Sequence, residues 1–343
     1  MTLGVGIVGA GRAGARRAEV LAHAVGARLV GVADVDAGRA EVLARTFGSR
    51  VYAEQEALFG ARDVQAVIVA TPHQWLAPVA KAALEAGKHV LCEKPLARTP
   101  EEAAALVAVA AQSKRALKTG FNHRYHPAIA EAHRLACEGR IGRILVLRCR
   151  YGHGGRTGYE HEWRADRVSG GGELLDQGVH ALDLFRWFAG EFTEMSAMVS
   201  SAYWPIEVED NAFCLLRTAE GVTASLHASW TQWKNLFSFE VFGESGYLEI
   251  EGLGGSYGPE RLVIGERRAS GAPSEQQIEF LGEDTSWAAE WAEFTAAIRE
   301  ERAPEASGWD GWQALRLAAA AYESARSKTV VRIENPKQGS TDD

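Results

Sequence analysis

The 343-residue sequence predicts two domains: an α/β domain with a parallel sheet and helices on both faces, then an α+β domain with a large, open, mostly antiparallel sheet. Three observations predict this. The length exceeds one ordinary domain and falls short of three. In the first third, short apolar runs alternate with helix-period stretches, the pattern of parallel strands joined by right-handed crossovers. Beyond residue 122 the dominant period drops to two, as in strands with one face in water.

Leu3 to Val8, Arg28 to Ala33, Gln65 to Ala70, His89 to Cys92 and Ala116 to Thr119 are apolar runs of strand length. Between them Ala13 to Ala24, Ala37 to Phe47, Trp75 to Ala86 and Pro100 to Ser113 read as helices. Thr99-Pro100-Glu101-Glu102 marks a helix start, with a capping hydroxyl, a Pro at the first helical position and early acids. In the second part, helices are expected at Pro127 to Glu138 and around residues 178–188. Strands follow at Ala212 to Leu216, Val222 to Trp230, Phe237 to Val241 and Tyr247 to Glu251. Two helices, Trp287 to Arg302 and Trp309 to Ser327, and a short strand at Val330 to Ile333 close the chain. The domain limits are 1–121 and 122–308, with a flexible polar tail over 334–343.

Composition bounds the function. Hydrophobic residues at 46% and charged residues at 24% are globular values, so a disordered chain is excluded. A net charge of -8 argues against a nucleic-acid partner, because phosphate neutralisation needs a basic surface. No apolar run reaches membrane-spanning length, and the N-terminus enters a strand with no basic leader. Cysteines 92, 137, 149 and 214 have neither metal nor redox spacing. We therefore expect a cytoplasmic protein with reduced thiols, no metal and no membrane association.

Gly9-Ala10-Gly11-Arg12-Ala13-Gly14 stands between the first strand and the first helix, and Asp34 ends the second strand about 20 residues on. This context makes it a Rossmann dinucleotide fingerprint. Gly9 allows the tight turn, Gly11 lets the backbone approach a pyrophosphate, and Gly14 lets helix and strand pack closely. The first helical amides, at Arg12 and Ala13, face the phosphates. Asp34 can accept from both ribose hydroxyls and repels a 2′-phosphate, which favours NAD over NADP.

Downstream, Ala70-Thr71-Pro72 and Cys92-Glu93-Lys94-Pro95 lie at strand ends, and Gly170-Gly171-Gly172-Glu173-Leu174-Leu175-Asp176-Gln177-Gly178-Val179-His180-Ala181-Leu182-Asp183 precedes the strand-rich part. Fingerprint, Glu-Lys-Pro and Asp-x-x-x-His in that order resemble the glucose–fructose oxidoreductase / inositol dehydrogenase / rhizopine-catabolism (Gfo/Idh/MocA) family over nearly the whole chain. The resemblance implies that helix 309–327 packs back on the nucleotide domain, and that Lys94, Asp176 and His180 form the catalytic group. Chemistry makes the same choice: alcohol oxidation needs a base, stabilisation of a developing alkoxide and a hydride acceptor. His180, with an ordinary pKa near ~6.5, is the favoured base. Asp176, one helical turn earlier, would orient it or bind substrate. Lys94 would stabilise the alkoxide, although a lysine of lowered pKa could exchange roles with His180. Thr71, Pro72 and Glu93 would border the cofactor. His73 stands where the family often has Asn, and could touch the nicotinamide edge.

For the substrate, the resemblance points to Asn122-His123-Arg124-Tyr125-His126, from which Arg124 is singled out; composition and position before the Asp-x-x-x-His segment add the Gly- and aromatic-rich loop 151–164. That loop contributes Tyr151, Trp163 and Arg164 and reads either as a lid or as a solvated connection. Glu160, Glu162, Asp166, Glu173, Asp176, Glu207, Glu209 and Asp210 predict an anionic cleft suited to a neutral or cationic sugar, such as an amino sugar or aminoglycoside. The reaction expected is NAD-dependent hydride transfer at a secondary ring hydroxyl or ketone of a sugar or cyclitol. The alternatives are an inositol or nucleotide-sugar dehydrogenase or ketoreductase, an isomerising or eliminating relative with tightly held NAD, and a non-catalytic NAD-binding regulator. The open sheet predicts a homodimer or homotetramer.

Overall fold

The computed structural model describes residues 2–336. They form two compact units: residues up to 121 together with 287–315, and residues 122–286 together with those from 316 on.

The first unit runs β1 (Leu3–Val8), α1 (Arg12–His23), β2 (Ala27–Ala33), α2 (Ala37–Thr46), β3 (Arg50–Val51), α3 (Gln55–Gly60), β4 (Ala66–Val69), α4 (His73–Glu85), β5 (His89–Cys92), α5 (Pro100–Ser113) and β6 (Leu117–Thr119). Its strands are parallel in the order β3-β2-β1-β4-β5-β6. Strand growth reverses between β1 and β4, where open α/β sheets bind ligands. Val67, Ile68, Val69, Val90 and Leu91 are wholly buried, which is why these strands read as unbroken apolar runs. Thr99 caps α5 by accepting from the Glu102 amide at 3.3 Å. β3 and α3 escape the sequence reading because two exposed residues and a six-residue helix show no period.

The second unit begins with α6 (Pro127–Cys137), β7 (Ile144–Gly152) and α7 (Val179–Ala189), the last preceded by a π-helical turn at Leu174–Gly178. Then come β8 (Phe192–Ser200), β9 (Asn211–Thr218), β10 (Thr223–Ser229), β11 (Leu236–Gly243), β12 (Gly246–Glu251), β13 (Glu260–Glu266) and β14 (Ser274–Phe280). After α8 (Ser286–Arg299) and α9 (Gly308–Ser327), β15 (Val331–Arg332) completes a sheet ordered β14-β13-β12-β11-β7-β10-β9-β8-β15. Among the described residues it is antiparallel except for the β7–β10 pair. Phe239 and Val241 of β11, Leu226 of β10 and Leu147 of β7 are buried on one face, where α7 lays Phe185 and Phe188 against Phe239. Phe213, Leu215 and Met198 are exposed on the other face.

Two domain expectations meet a different arrangement. Helix α8, placed in the second domain by the sequence, packs Trp291 and Phe294 into the core of the first unit beside Val5, Ile7 and Leu91. Helix α9, expected to pack back on the nucleotide domain, is divided: residues up to 315 count with the first unit and those from 316 with the second. An amphipathic stripe shows that a helix is buried, not which core receives it. In the expected tail, Asn335 donates to the Phe192 carbonyl at 2.9 Å, and residues 337–343 lie outside the described residues.

Phe294→Ala should therefore destabilise the first unit by about 3–5 kcal/mol through the cavity it leaves. Hydrogen exchange should accelerate in β1, β2 and β4; acceleration confined to α8 would contradict this packing.

Candidate active site

In the first unit, the chain leaves β1 through Gly9, whose φ of +100° and close approach to the Ala70 carbonyl exclude a side chain: a Cβ would lie 2.5 Å from that oxygen. At Gly14 a Cβ would meet the Gly9 carbonyl oxygen at 1.9 Å, so α1 sits tight on the turn. Gly11 differs, since a Cβ there would meet nothing within 4 Å. It opens a cradle beside the first turn of α1, a helix that has no side-chain cap to occupy the amides of Arg12 and Ala13. The Asp34 carboxylate accepts from the Ala10 amide at 2.6 Å and from the Asp36 amide at 2.8 Å, so it pins the turn and keeps lone pairs for ribose hydroxyls. Thr71 Oγ1 is buried with no hydrogen-bond partner. These features fit a dinucleotide: an open backbone cradle for phosphates, a carboxylate for ribose and an unsatisfied hydroxyl at the β4 end. Pro72 caps α4, and His73 is buried in the first turn of that helix.

Lys94 follows β5 at the C-terminal edge of the same sheet and is half-buried, with a cis bond to Pro95. Glu93 was expected at the cofactor, but its carboxylate is committed to Arg17, which reaches it at 2.7 Å and Glu290 of α8 at 2.5 Å. Arg17 is 1% exposed. Burial works against its charge, and the two carboxylates outweigh it, so the guanidinium stays ionised.

In the second unit, Asp176 and His180 lie a turn apart where the π-helical turn joins α7, and both are buried. A π-helical turn is a frequent mark of functional positions. The triple glycine before it has a steric reason: a Cβ at Gly171 would meet the Arg164 carbonyl oxygen at 2.0 Å, and one at Gly172 would meet Glu209 Oε1 at 2.5 Å. Arg164 donates through Nε to Asp176 at 3.0 Å and stacks over Trp163 at 4.3 Å. His180 is stacked on His123, ring centroids 3.7 Å apart and planes 17° from parallel. His123 in turn meets the Tyr151 hydroxyl at 3.0 Å. Burial pushes the Tyr151 phenol well above its ordinary range, with Tyr257, Glu173 and Asp176 adding to the effect.

Several expected substrate contacts have partners within the protein. Arg124 is clamped by Asp183 in a bidentate pair of 2.8 and 2.5 Å and is 5% exposed, so it braces α7. Tyr151 is buried and directs its hydroxyl to His123. Loop 151–164 is anchored at Tyr159, which is buried with Val208 and Trp230, while the residues on either side of it are half-buried or exposed. Of the acids expected to make the cleft anionic, two face arginines and others are held by hydrogen bonds that leave their charge in place. Asp176 pairs with Arg164, and Glu162 with Arg156 and Arg164. Asp166 and Asp210 are spent on backbone amides, and Glu209 on the Leu174 amide and the Tyr322 hydroxyl. Sequence reasoning missed Arg17 and took Arg124 where the geometry favours His123; nothing in the run 122–126 separates one polar side chain from the next. Among the described residues no group of His, Cys, Asp and Glu could hold a metal, and no helix is long and apolar enough to cross a membrane.

Comparison with known proteins agrees with both halves. Residues 3–121 match the oxidoreductase family with an NAD-binding Rossmann fold, and residues 129–249 match the GFO/IDH/MocA C-terminal domain. The 1,5-anhydro-D-fructose reductase of Ensifer adhaerens is 34% identical, over 81% of this chain and 83% of its own. Inositol 2-dehydrogenase 2 of Saccharopolyspora erythraea is 28% identical over 97% and 96%. Levoglucosan dehydrogenase of Pseudarthrobacter phenanthrenivorans is 31% identical over 54% of this chain, and the match spans 55% of that protein. A levoglucosan dehydrogenase structure, in complex with NADH and L-sorbose, superposes with a TM-score of 0.88 at 26% identity, covering 97% of this chain and 99% of that one. GenD2 from gentamicin A biosynthesis, in complex with NAD, superposes with a TM-score of 0.85 at 26% identity, covering 97% of each chain.

Replacing Asp34 by Ser should weaken NAD binding about tenfold, about 1.4 kcal/mol, and NADP binding less, because the charge opposing a 2′-phosphate is lost. Calorimetric titration measures both; an unchanged NAD affinity would remove Asp34 from the ribose.

Proposed function

From its place in the Gfo/Idh/MocA oxidoreductase family, to which this chain belongs, we propose that the protein transfers a hydride between NAD and a secondary hydroxyl or ketone of a sugar or cyclitol. The observation that carries this reading is that the reactive side chains are retained in prepared settings: Lys94 at the sheet's C-terminal edge, and Asp176 and His180 a turn apart, with Asp176 held by Arg164 and His180 flat against His123. Bound NAD would supply the hydride acceptor or donor. His180 takes the hydroxyl proton, Asp176 fixes its surroundings or a neighbouring hydroxyl, and Lys94 favours the alkoxide by charge. Gly9, Gly11, Arg12, Ala13, Gly14, Asp34, Thr71, Pro72 and His73 serve the cofactor; Trp163 and Arg164 serve the substrate. With only Glu162 and Asp176 of the nearby acids facing arginines, the remaining acids favour a neutral or cationic sugar over an anionic one.

The apolar outer face of the second unit's sheet, with Phe213, Leu215 and Met198 exposed, supports a homodimer or homotetramer. Three of the four free cysteines are buried, which accords with a reducing cytoplasm.

With a panel of sugars and cyclitols, net absorbance from reduced nicotinamide is expected. No reduction would indicate a regulator, and turnover without net reduction an isomerising relative. Lys94→Ala should lower kcat at least about 100-fold while leaving NAD affinity within about twofold; near-parental turnover would contradict the role given to Lys94. Sedimentation as a monomer at micromolar concentration would contradict the assembly.

A further inference from the structure

We propose that His123 is a positioning residue for His180: it holds that imidazole flat and stays uncharged itself, so the proton leaving the substrate hydroxyl is taken by His180 alone. This rests on the reading of His180 as base. The step balances: the O–H proton passes to a ring nitrogen of His180, the hydride leaves the same carbon for NAD, and a ketone remains.

The hydrogen-bond network assigns the tautomer. Asn122 Nδ2 donates to Ser286 Oγ at 3.0 Å, which turns Asn122 Oδ1 toward His123 Nδ1 at 3.2 Å. A carbonyl oxygen only accepts, so Nδ1 carries the hydrogen. Nε2 then presents a lone pair, and the Tyr151 hydroxyl donates to it at 3.0 Å. Protonating His123 would place a second donor against that hydroxyl and a positive charge 3.7 Å from the centre of the His180 ring. In a buried setting both are costly. Burial keeps Tyr151 a phenol, and thus a donor, across the neutral range.

The charged and titratable groups around the pair come from several elements. His126 lies edge-on to His123 at 5.5 Å and gives its Nδ1 to Glu260. Tyr257 lies 5.5 Å from Tyr151 and hydrogen-bonds to it; with Gln177 donating to the Tyr257 oxygen, Tyr257 gives its own hydrogen to the Tyr151 oxygen and leaves the Tyr151 hydrogen for His123. Glu173 and Asp176 precede His180, and Arg164 pairs with Asp176. None of these is altered in the variants below, so differences report on Tyr151 and His123.

The full chain, labelled with 15N-histidine, reads the tautomer directly; His123 is identified by the signal lost in His123→Phe. In the parent, His123 should keep its neutral Nδ1–H signature from pH 5 to 8, and in Tyr151→Phe it should titrate. In kinetics, Tyr151→Phe should move the acidic limb of kcat/KM at least about half a pH unit lower, because a cationic His123 opposes protonation of His180. Adding His123→Phe should restore the limb, and His123→Phe alone should leave KM within about twofold. A titrating His123 in the parent, or a limb shift that persists in the double variant, overturns the proposal. His180→Asn separates the underlying reading: loss of at least about 100-fold in kcat with loss of the limb supports His180 as base, whereas a preserved limb removes that reading and the proposal with it.

Discussion

One guanidinium, Arg17, governs how the nucleotide-binding end of the first unit is built. It projects from the helix that opens the phosphate cradle, pairs with the residue before Lys94 and reaches Glu290 on α8. Three segments far apart in the chain are thereby tied at one buried point. Removing one partner of such a cluster strands a charge at a cost of about 3–5 kcal/mol, so the arrangement is stiff even though its net contribution over an apolar equivalent is small. Trp287 covers the guanidinium at 4.3 Å, and burial holds the Glu290 carboxyl above its ordinary range despite the positive partner. The turn carrying Lys94 is therefore referenced to α1 through Glu93, not merely to the strand it ends.

What could be read from the sequence was whatever rests on local pattern. β1 and β5 are written as apolar runs, α5 by its cap and proline, and the cofactor turn by glycines whose missing side chains are sterically required. Strands β7, β8, β13 and β14 went unread, although β13 alternates between buried and half-buried residues. Only β14, an edge strand whose residues Ser274 to Phe280 are exposed or half-buried, lacks a buried face to mark it. The fate of charges was not legible at all. Arg124 and Asp183 are 59 positions apart, and Arg17 and Glu290 are 273 apart. Nothing in a local window distinguishes a guanidinium clamped in a core from one aimed at substrate. Counting acids likewise gives only a sign, whereas the local potential depends on which of them face a cation, as Glu162 and Asp176 do.

That pairing bears on the chemistry. Asp210 gathers the amides of Ala202, Tyr203 and Trp204, and these hold its carboxyl below the ordinary range although burial opposes it. Arg164 is held charged by Asp176 against the cost of burial. Glu209 goes the other way, since burial raises it more than its two hydrogen bonds lower it. A setting in which several acids are held by fixed partners ties their protonation to those partners. It leaves imidazole as the group whose protonation can change near neutral pH at least structural expense. The stacked His123–His180 pair then becomes the decisive feature of the second unit. Two adjacent imidazoles can accept protons independently only if they are far apart or screened, and at 3.7 Å in a buried cluster they are neither. One of the two has to be fixed, and the ring whose two nitrogens face Asn122 and Tyr151 is His123.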